Sequence, residues 1–255
     1  MLNVNGQLAW MIMELPAPVL FLASYHTSRS GDPEWSHPTV FMLLALFTGH
    51  YVNRAVVSPL RTPSRSPSHV IVPICAIIFN TMNASLMGTF FAFISNSPPD
   101  LTRPCALPRS AQFWMGIIMF ILGLVSNVWH DEILLRLRKN PDSPSALSHS
   151  TSTLLNKGSR RTDIAAKPKY SIPYGGLYRF VSYPNYLSEW FEWLGFAIAS
   201  SALTQCGGLY TPPWMFLAAE LAVMLPRAIR GHAWYRERFG ERYPSKRKAI
   251  FPALL

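Results

Sequence analysis

The chain has 255 residues, of which 49% are hydrophobic and only 14% are charged, and its net charge is +10. Soluble domains usually carry about 25% charged residues, so this composition argues against an ordinary soluble domain. The apolar residues gather in long blocks typical of membrane spans. We therefore predict an all-α polytopic membrane protein, a helical bundle that forms a single integral-membrane domain over residues 1–255. About six transmembrane helices are predicted, at Leu8–Ala23, Thr39–Val57, Val70–Ile94, Ala111–Trp129, Tyr186–Leu203 and Trp214–Ile229.

The distribution of Lys and Arg explains the positive charge by membrane topology rather than by nucleic-acid binding. With six spans, Arg54–Arg65, Arg136–Arg179 and the tail from Arg227 lie on one side and hold 20 of the 23 basic residues. The positive-inside rule makes that side cytosolic, so both termini face the cytosol. On the same side, the Ser-, Thr- and Pro-rich segment Asn140–Lys169 is predicted to be a disordered cytosolic insertion.

The first two predicted spans contain a carboxylate and a phenol that would suit catalysis. Glu14 lies beside Pro16 inside an apolar segment, and Tyr51 lies near the end of the second span. A buried Glu beside a Tyr hydroxyl would hold the phenol as a hydrogen-bond donor for a carbonyl oxygen that gains negative charge. The alternative from the residues alone is a helix kink and an interfacial aromatic side chain.

Polar residues at helical spacing mark the fourth and fifth spans. Asn127, Asp131 and Arg138 lie at i, i+4 and i+11 and share one face if the helix continues beyond the span. After Pro184, Asn185, Glu189 and Glu192 lie at i, i+4 and i+7. Acidic groups are costly in a membrane helix and therefore indicate function by default, although pairing with a neighbouring Arg for architecture alone is the alternative.

The C-terminal segment combines cations with aromatic rings. It contains Arg227, His232 and Tyr235, followed by Tyr243 and Arg247. Cations suit phosphates and rings suit base stacking, so the segment would fit a dinucleotide, although basic juxtamembrane tails are common. The chain has neither a GxGxxG nor a GxxxxGK[ST] motif, so any nucleotide site must be built from the helices and their cytosolic ends. The three cysteines form no CxxC pair and indicate neither a disulfide framework nor a metal site.

Together these segments resemble the steroid 5-alpha-reductase family (3-oxo-5-alpha-steroid 4-dehydrogenases). IPYGGLYRFVSYPNYLSEWFEWLGFAI resembles the family's IPxGGLFxxVSxxNxxGExxEWxGxA pattern, and ILGLVSNVWHDEILLRLRK resembles its NxxxDxxLxxLR segment. RAIRGHAWYRERFGERYPSKRKAIFP resembles HxxYxxxFxxYPxxRKAxxP. The elements WMIMELPAP and GHYVNR resemble xELPS and HYxxR, a pair that favours the steroid-reducing branch.

The resemblance implies an NADPH-dependent enzyme of the endoplasmic reticulum membrane that reduces the C4=C5 bond of a 3-oxo-Δ4 steroid or a related enone lipid. It implies that Glu14 and Tyr51 hold the ketone oxygen during hydride transfer to the β-carbon. The positions that match cofactor-binding residues are Asn127, Asp131, Arg138, Asn185, Glu189, Tyr235 and Arg247. Supporting roles are implied for Arg54, Arg65, Trp193, Arg227 and His232. It implies no metal, no nucleic acid and no obligate protein partner.

Three departures from the family pattern leave alternatives open. The family usually has a further apolar helix before its ELP element, giving seven, whereas this sequence starts 13 residues before Glu14. Asn140–Lys169 is an insertion. Ser188 and Tyr183-Pro184 replace other residues in the IPYGG…WLGFAI segment, which we call the central motif. The alternative functions are an enoyl-CoA or polyprenol reductase of the same superfamily, or a non-catalytic sterol- or lipid-binding membrane protein.

Overall fold

The computed structural model describes residues 2–30, 38–63, 65–96, 107–139, 170–204 and 208–252. The predicted insertion Asn140–Lys169 lies outside the described residues. Within them, the chain is almost entirely helical, and two-residue strands at Asn3–Val4 and Ser68–His69 pair antiparallel. The α-helices are α1 Gly6–Glu14, α2 Pro16–Ser28, α3 Pro38–Val52, α4 Ser58–Arg61, α5 Ile71–Asn96, α6 Leu107–Lys139, α7 Pro184–Ser201 and α8 Pro212–Phe239.

The six predicted spans are helical to within a few residues, which confirms the all-α polytopic fold class. In the described part of the chain, four segments are long and apolar enough to cross a membrane, judged by length and composition. These are Gly6–Ser28, Pro38–Arg61, Ile71–Asn96 and Ser110–Lys139. Helices α7 and α8 form where predicted but are not among these four segments, so their crossing of the membrane remains a prediction.

The chain divides into two compact units. Unit 1 comprises Met1–Leu124 and Trp190–Ala222, and unit 2 comprises Val125–Glu189 and Val223–Leu255. Helices α6, α7 and α8 therefore each contribute residues to both units.

Unit 1 is held together by close helix contacts at small residues. A Cβ placed on Gly116 of α6 would lie 2.5 Å from the carbonyl oxygen of Gly195 and from the amide nitrogen of Ala199 in α7. A Cβ on Gly88 of α5 would lie 2.4 Å from the carbonyl oxygen of Phe21 in α2. Small residues at such crossings let helix backbones approach within van der Waals contact, which is the main attraction between helices in lipid. Around these contacts lies a buried aromatic core that includes Phe47, Phe91, Phe120, Trp193 and Phe196.

A π-helical segment, Asn53–Val57, joins α3 to α4 without a break. The Ser58 amide donates to the carbonyl of Asn53, five residues back, so the helix widens at this point. Such segments are rare and often occur at functional sites. Here the widened turn carries Arg54, one of the predicted supporting residues.

Unit 2 contains a short backbone pairing between the C-terminal tail and the segment that precedes α7. The Lys248 amide donates to the carbonyl of Phe180, and the Ser182 amide donates back to the carbonyl of Lys248, both at 2.9 Å. Val181 and Lys248 form a parallel bridge. These bonds fix the position of the tail residues around Arg247.

Candidate active-site residues

In unit 1, Glu14 is the last residue of α1 and is 6% exposed. The Nε of Arg54 donates to its Oε1 at 3.1 Å. Trp10 supports Arg54 in two ways, because its indole Nε1–H donates to the Arg54 carbonyl at 3.2 Å and its ring lies 5.2 Å from the guanidinium carbon. The Arg65 guanidinium also lies over this ring, at 4.1 Å. A buried carboxylate needs such a partner, and Arg54 supplies it to Glu14.

Tyr51 is 3% exposed near the end of α3 and lies within the aromatic core. Its ring centroid is 4.7 Å from that of Phe47 and 6.1 Å from that of Trp193. Within the described residues, the buried indole N–H of Trp193 has no hydrogen-bond partner. The structure thus pairs Glu14 with Arg54, while the proposed orientation of the Tyr51 hydroxyl by Glu14 stays a prediction.

Directly beside Tyr51 in the chain, His50 forms a buried pair with Glu192 that the sequence did not predict. His50 Nδ1 lies 2.6 Å from Glu192 Oε1, and the two side chains are 3% and 0% exposed. The sequence placed Glu192 on one face with Asn185 and Glu189 but named no partner for it. The one available signal was the position of His50 directly before Tyr51 in the HYxxR element.

In unit 2, the two predicted polar stripes meet. The Asn185 amide donates to Asp131 Oδ1 at 3.2 Å, and Ser126 and Ser188 are joined by a hydrogen bond of 2.8 Å between the same two helices. Helix α6 continues to Lys139, so Asn127, Asp131 and Arg138 do lie on one helix as predicted. Asn127 and Glu189 are buried at 7% and 4% exposure, whereas Arg138 is exposed.

The Gly-Gly turn before α7 rests against His130, which the sequence analysis did not single out. His130 Nδ1 lies 2.6 Å from the Ser126 carbonyl oxygen, and its Nε2 accepts the Leu177 amide proton at 3.0 Å, so Nδ1 carries the hydrogen. Gly176 has a φ of +50°, and a Cβ there would lie 2.7 Å from His130 Nε2. The second glycine therefore serves close packing and a left-handed backbone.

Ser182 is a junction of hydrogen bonds in unit 2. Its Oγ donates to the Lys248 carbonyl at 3.0 Å and lies 2.6 Å from both His232 Nδ1 and the Tyr243 hydroxyl. All four groups are satisfied if His232 and Tyr243 donate to Ser182. The junction ties α8 and the C-terminal tail to the segment before α7, and so gives the predicted supporting residue His232 a positioning role.

Arg247 is the most distinctive cation of unit 2, because it is 3% exposed. Its guanidinium carbon lies 5.3 Å from the Tyr174 ring centroid and 5.0 Å from that of Tyr243. Within the described residues, its Nε and Nη1 atoms are buried and have no hydrogen-bond partner. A buried cation with unused donors and aromatic neighbours suits an anionic ligand that carries a planar ring.

Tyr235 stacks on Tyr243, with ring centroids 5.5 Å apart and an interplanar angle of 16°. Burial raises the pKa of Tyr235 to about 12, against the opposing influence of the Arg247 and Arg138 charges. The phenol is therefore a neutral donor at physiological pH, and three predicted cofactor residues lie within one electrostatic neighbourhood. Arg227, by contrast, is exposed on α8.

Known proteins resemble this chain over nearly its whole length. A family model described as 3-oxo-5-alpha-steroid 4-dehydrogenase matches residues 144–255. The chain is 31% identical to the uncharacterized protein C9.08c of Schizosaccharomyces pombe, over 99% of this chain and 85% of that protein. It is 30% identical to the steroid 5-alpha-reductase DET2 of Solanum lycopersicum, over 99% and 82%. It is also 30% identical to 3-oxo-5-alpha-steroid 4-dehydrogenase 1 of Rattus norvegicus, over 100% and 82%.

The environment of His232 predicts a pH-dependent stability. Burial, followed by the positive charges of Arg236, Arg247 and Lys248, lowers the pKa of His232 below its ordinary value near 6.5. The unfolded chain therefore takes up a proton first as the pH falls through 6.5, and stability is lost until the folded pKa is passed. We expect the melting temperature in detergent to fall more between pH 7.5 and pH 5.5 for the wild type than for His232→Asn, which retains a donor toward Ser182. Parallel pH profiles for the two proteins would contradict this assignment.

Proposed function

The chain belongs to the steroid 5-alpha-reductase family, and we propose on that premise that it reduces the C4=C5 double bond of a 3-oxo-Δ4 steroid, or of a related enone lipid, with NADPH. The family makes it an oxidoreductase acting on CH–CH bonds. One similar protein is named a steroid 5-alpha-reductase and another a 3-oxo-5-alpha-steroid 4-dehydrogenase, which supports a steroid as substrate. The proposal that NADPH binds is supported by one structural observation. The Arg247 guanidinium is buried, and its Nε and Nη1 atoms have no hydrogen-bond partner within the described residues.

The residues of unit 2 fit a phosphorylated dinucleotide. Arg247 would bind a phosphate group, because a desolvated guanidinium forms strong charge-assisted bonds to phosphate oxygens. The neutral phenol of Tyr235 would donate a further bond, and exposed Arg138 adds positive potential beside it. The side-chain amide of Asn185, which donates to Asp131, would add a polar group from α7 to this site. When bound, the reduced nicotinamide supplies the hydride that adds to the β-carbon of the enone.

The residues of unit 1 fit the oxygen end of the enone. We assign Tyr51 as the donor to the ketone oxygen, where negative charge develops as the β-carbon is reduced. A preorganised donor in a water-excluded site lowers the barrier because it needs no reorganisation during the reaction. Arg54 is bonded to Glu14, and Glu14 is proposed to orient the Tyr51 hydroxyl. The indole N–H of Trp193 is a second buried donor in this unit. A proton from solvent then adds to the α-carbon of the enolate and restores the ketone.

We propose that the protein resides in the endoplasmic reticulum membrane, with the C-terminal tail and Asn140–Lys169 in the cytosol. A cytosolic tail places Arg247 and Tyr235 on the side from which NADPH would arrive. The excess of Lys and Arg on this side supports the orientation.

The first prediction about the proposed function concerns Arg247. Replacing it with Lys keeps the charge but removes the planar set of donors, so the Kd for NADPH is expected to rise by about 10-fold or more. Arg242→Lys, at an exposed position of the same tail, is the matched control and should leave the Kd unchanged. Titration of nicotinamide fluorescence with detergent-purified protein measures both values. Equal Kd values for wild type and Arg247→Lys would refute the phosphate role.

The second prediction concerns chemistry at the ketone. Tyr51→Phe is expected to lower kcat for NADPH-dependent reduction of a 3-oxo-Δ4 steroid by roughly 100- to 1000-fold, because the donor to the developing oxyanion is lost. Glu14→Gln should lower it less, and neither change should alter the Kd for NADPH. Loss of the enone absorbance reports turnover. Wild-type kcat in Tyr51→Phe would remove the phenol from the mechanism, and a wild type that does not bind NADPH would overturn the reductase proposal.

The third prediction concerns topology. In sealed microsomes, added protease should destroy an epitope tag placed after Leu255, because the tail is proposed to be cytosolic. A lumenal marker protein that survives in the same sample controls for leakage. A protected tag would reverse the assignment of sides.

A further inference from the structure

Tyr178 departs from the family pattern at a buried position. The pattern has Phe in its GGLF element, whereas this chain has Gly175-Gly176-Leu177-Tyr178. Tyr178 lies in the 3₁₀-helical turn Gly176–Arg179 and is 1% exposed. The departure therefore adds one hydroxyl group to the interior of unit 2.

The added hydroxyl has no hydrogen-bond partner within the described residues. Taking a hydroxyl out of water without a partner destabilises a folded chain, and Phe of the same shape avoids that cost. The ring itself is well held, since the His130 ring lies 5.6 Å away in an edge-on arrangement. Packing thus explains the aromatic ring at this position but not the oxygen atom.

Three residues assigned to the cofactor, together with Tyr183, act electrostatically on the Tyr178 hydroxyl. The three are Asp131, Tyr235 and Arg247. Burial is the main reason that the pKa of Tyr178 lies well above its ordinary value, so the group remains protonated at neutral pH. A protonated phenol offers one O–H donor, and Arg247, whose charge acts on it, also has donor atoms without a partner within the described residues.

We propose that the Tyr178 hydroxyl is an additional cofactor contact of this chain, which donates a hydrogen bond to an acceptor oxygen of bound NADPH. The inference rests on the proposed function, because it takes NADPH as the ligand of unit 2. It concerns a residue outside the family pattern. It explains why a hydroxyl that weakens the ligand-free chain occupies a fully buried position.

Tyr178→Phe tests the proposal by removing only the oxygen atom. Without NADPH, the melting temperature in detergent is expected to be unchanged or higher, because an unsatisfied hydroxyl is removed. The Kd for NADPH is expected to rise by about 3- to 30-fold, the loss of one hydrogen bond. The stabilisation of the protein by a fixed NADPH concentration should fall in parallel.

Tyr25→Phe is the matched control in unit 1. Tyr25 is also 1% exposed, but its hydroxyl forms a hydrogen bond with Ser95 Oγ at 3.1 Å. Its removal leaves Ser95 without this bond, so the melting temperature should fall while the Kd for NADPH stays constant. The two Tyr→Phe changes are therefore expected to have opposite signatures.

Two results would overturn the inference while leaving the proposed function intact. One is a wild type that binds NADPH with the same Kd as Tyr178→Phe. The other is a Tyr178→Phe protein that loses thermal stability without NADPH as Tyr25→Phe does, which would show that the hydroxyl has a structural partner. A wild type that does not bind NADPH would defeat the proposed function and this inference together.

Discussion

The cost of burying a polar group without a partner governs the arrangement of this protein. In unit 1, the Glu14 carboxylate is bonded to Arg54 and the Glu192 carboxylate to His50, at 3.1 and 2.6 Å. Buried polar pairs contribute little net stability over apolar residues, but removal of one partner is destabilising because the other is left without its bond. Such pairs therefore select one geometry. Because Arg54 and His50 flank Tyr51 in sequence, both pairs restrict the part of the chain that carries this phenol.

In unit 2 the same constraint acts on backbone groups. His130 satisfies the amide of Leu177, and the tail satisfies the amides around Ser182. Ser182 then joins His232, Tyr243 and the Lys248 carbonyl through one oxygen. This pairing fixes the position of Arg247, because both the amide and the carbonyl of its neighbour Lys248 are hydrogen-bonded to the segment before α7. The tail is thus positioned by main-chain bonds, whereas the Nε and Nη1 atoms of the Arg247 guanidinium have no hydrogen-bond partner within the described residues.

Much of this arrangement could be predicted from sequence where the determinant is local. Hydropathy located the helices, and a repeat of 3.6 residues placed Asp131 and Asn185 on polar stripes that do meet. Shared faces did not predict shared partners. Asn185 and Glu192 lie on the same face of α7, but seven residues separate them by roughly 10 Å along the axis. At that distance one meets Asp131 and the other His50. The His50–Glu192 pair spans 142 residues, and no local pattern reports such a contact.

The structure also shows what the residues of the central motif before α7 do, which the sequence pattern alone did not predict. Its second glycine, Gly176, packs against His130 with no space for a Cβ. The Val-Ser pair that follows forms the bridge to the tail, with Val181 opposite Lys248 and Ser182 as the hydrogen-bond junction. The motif therefore holds the C-terminal tail in place, and Arg247 lies in that tail. The segment before α7 and the C-terminal tail are therefore joined within unit 2 although α7 and most of α8 lie between them in the chain.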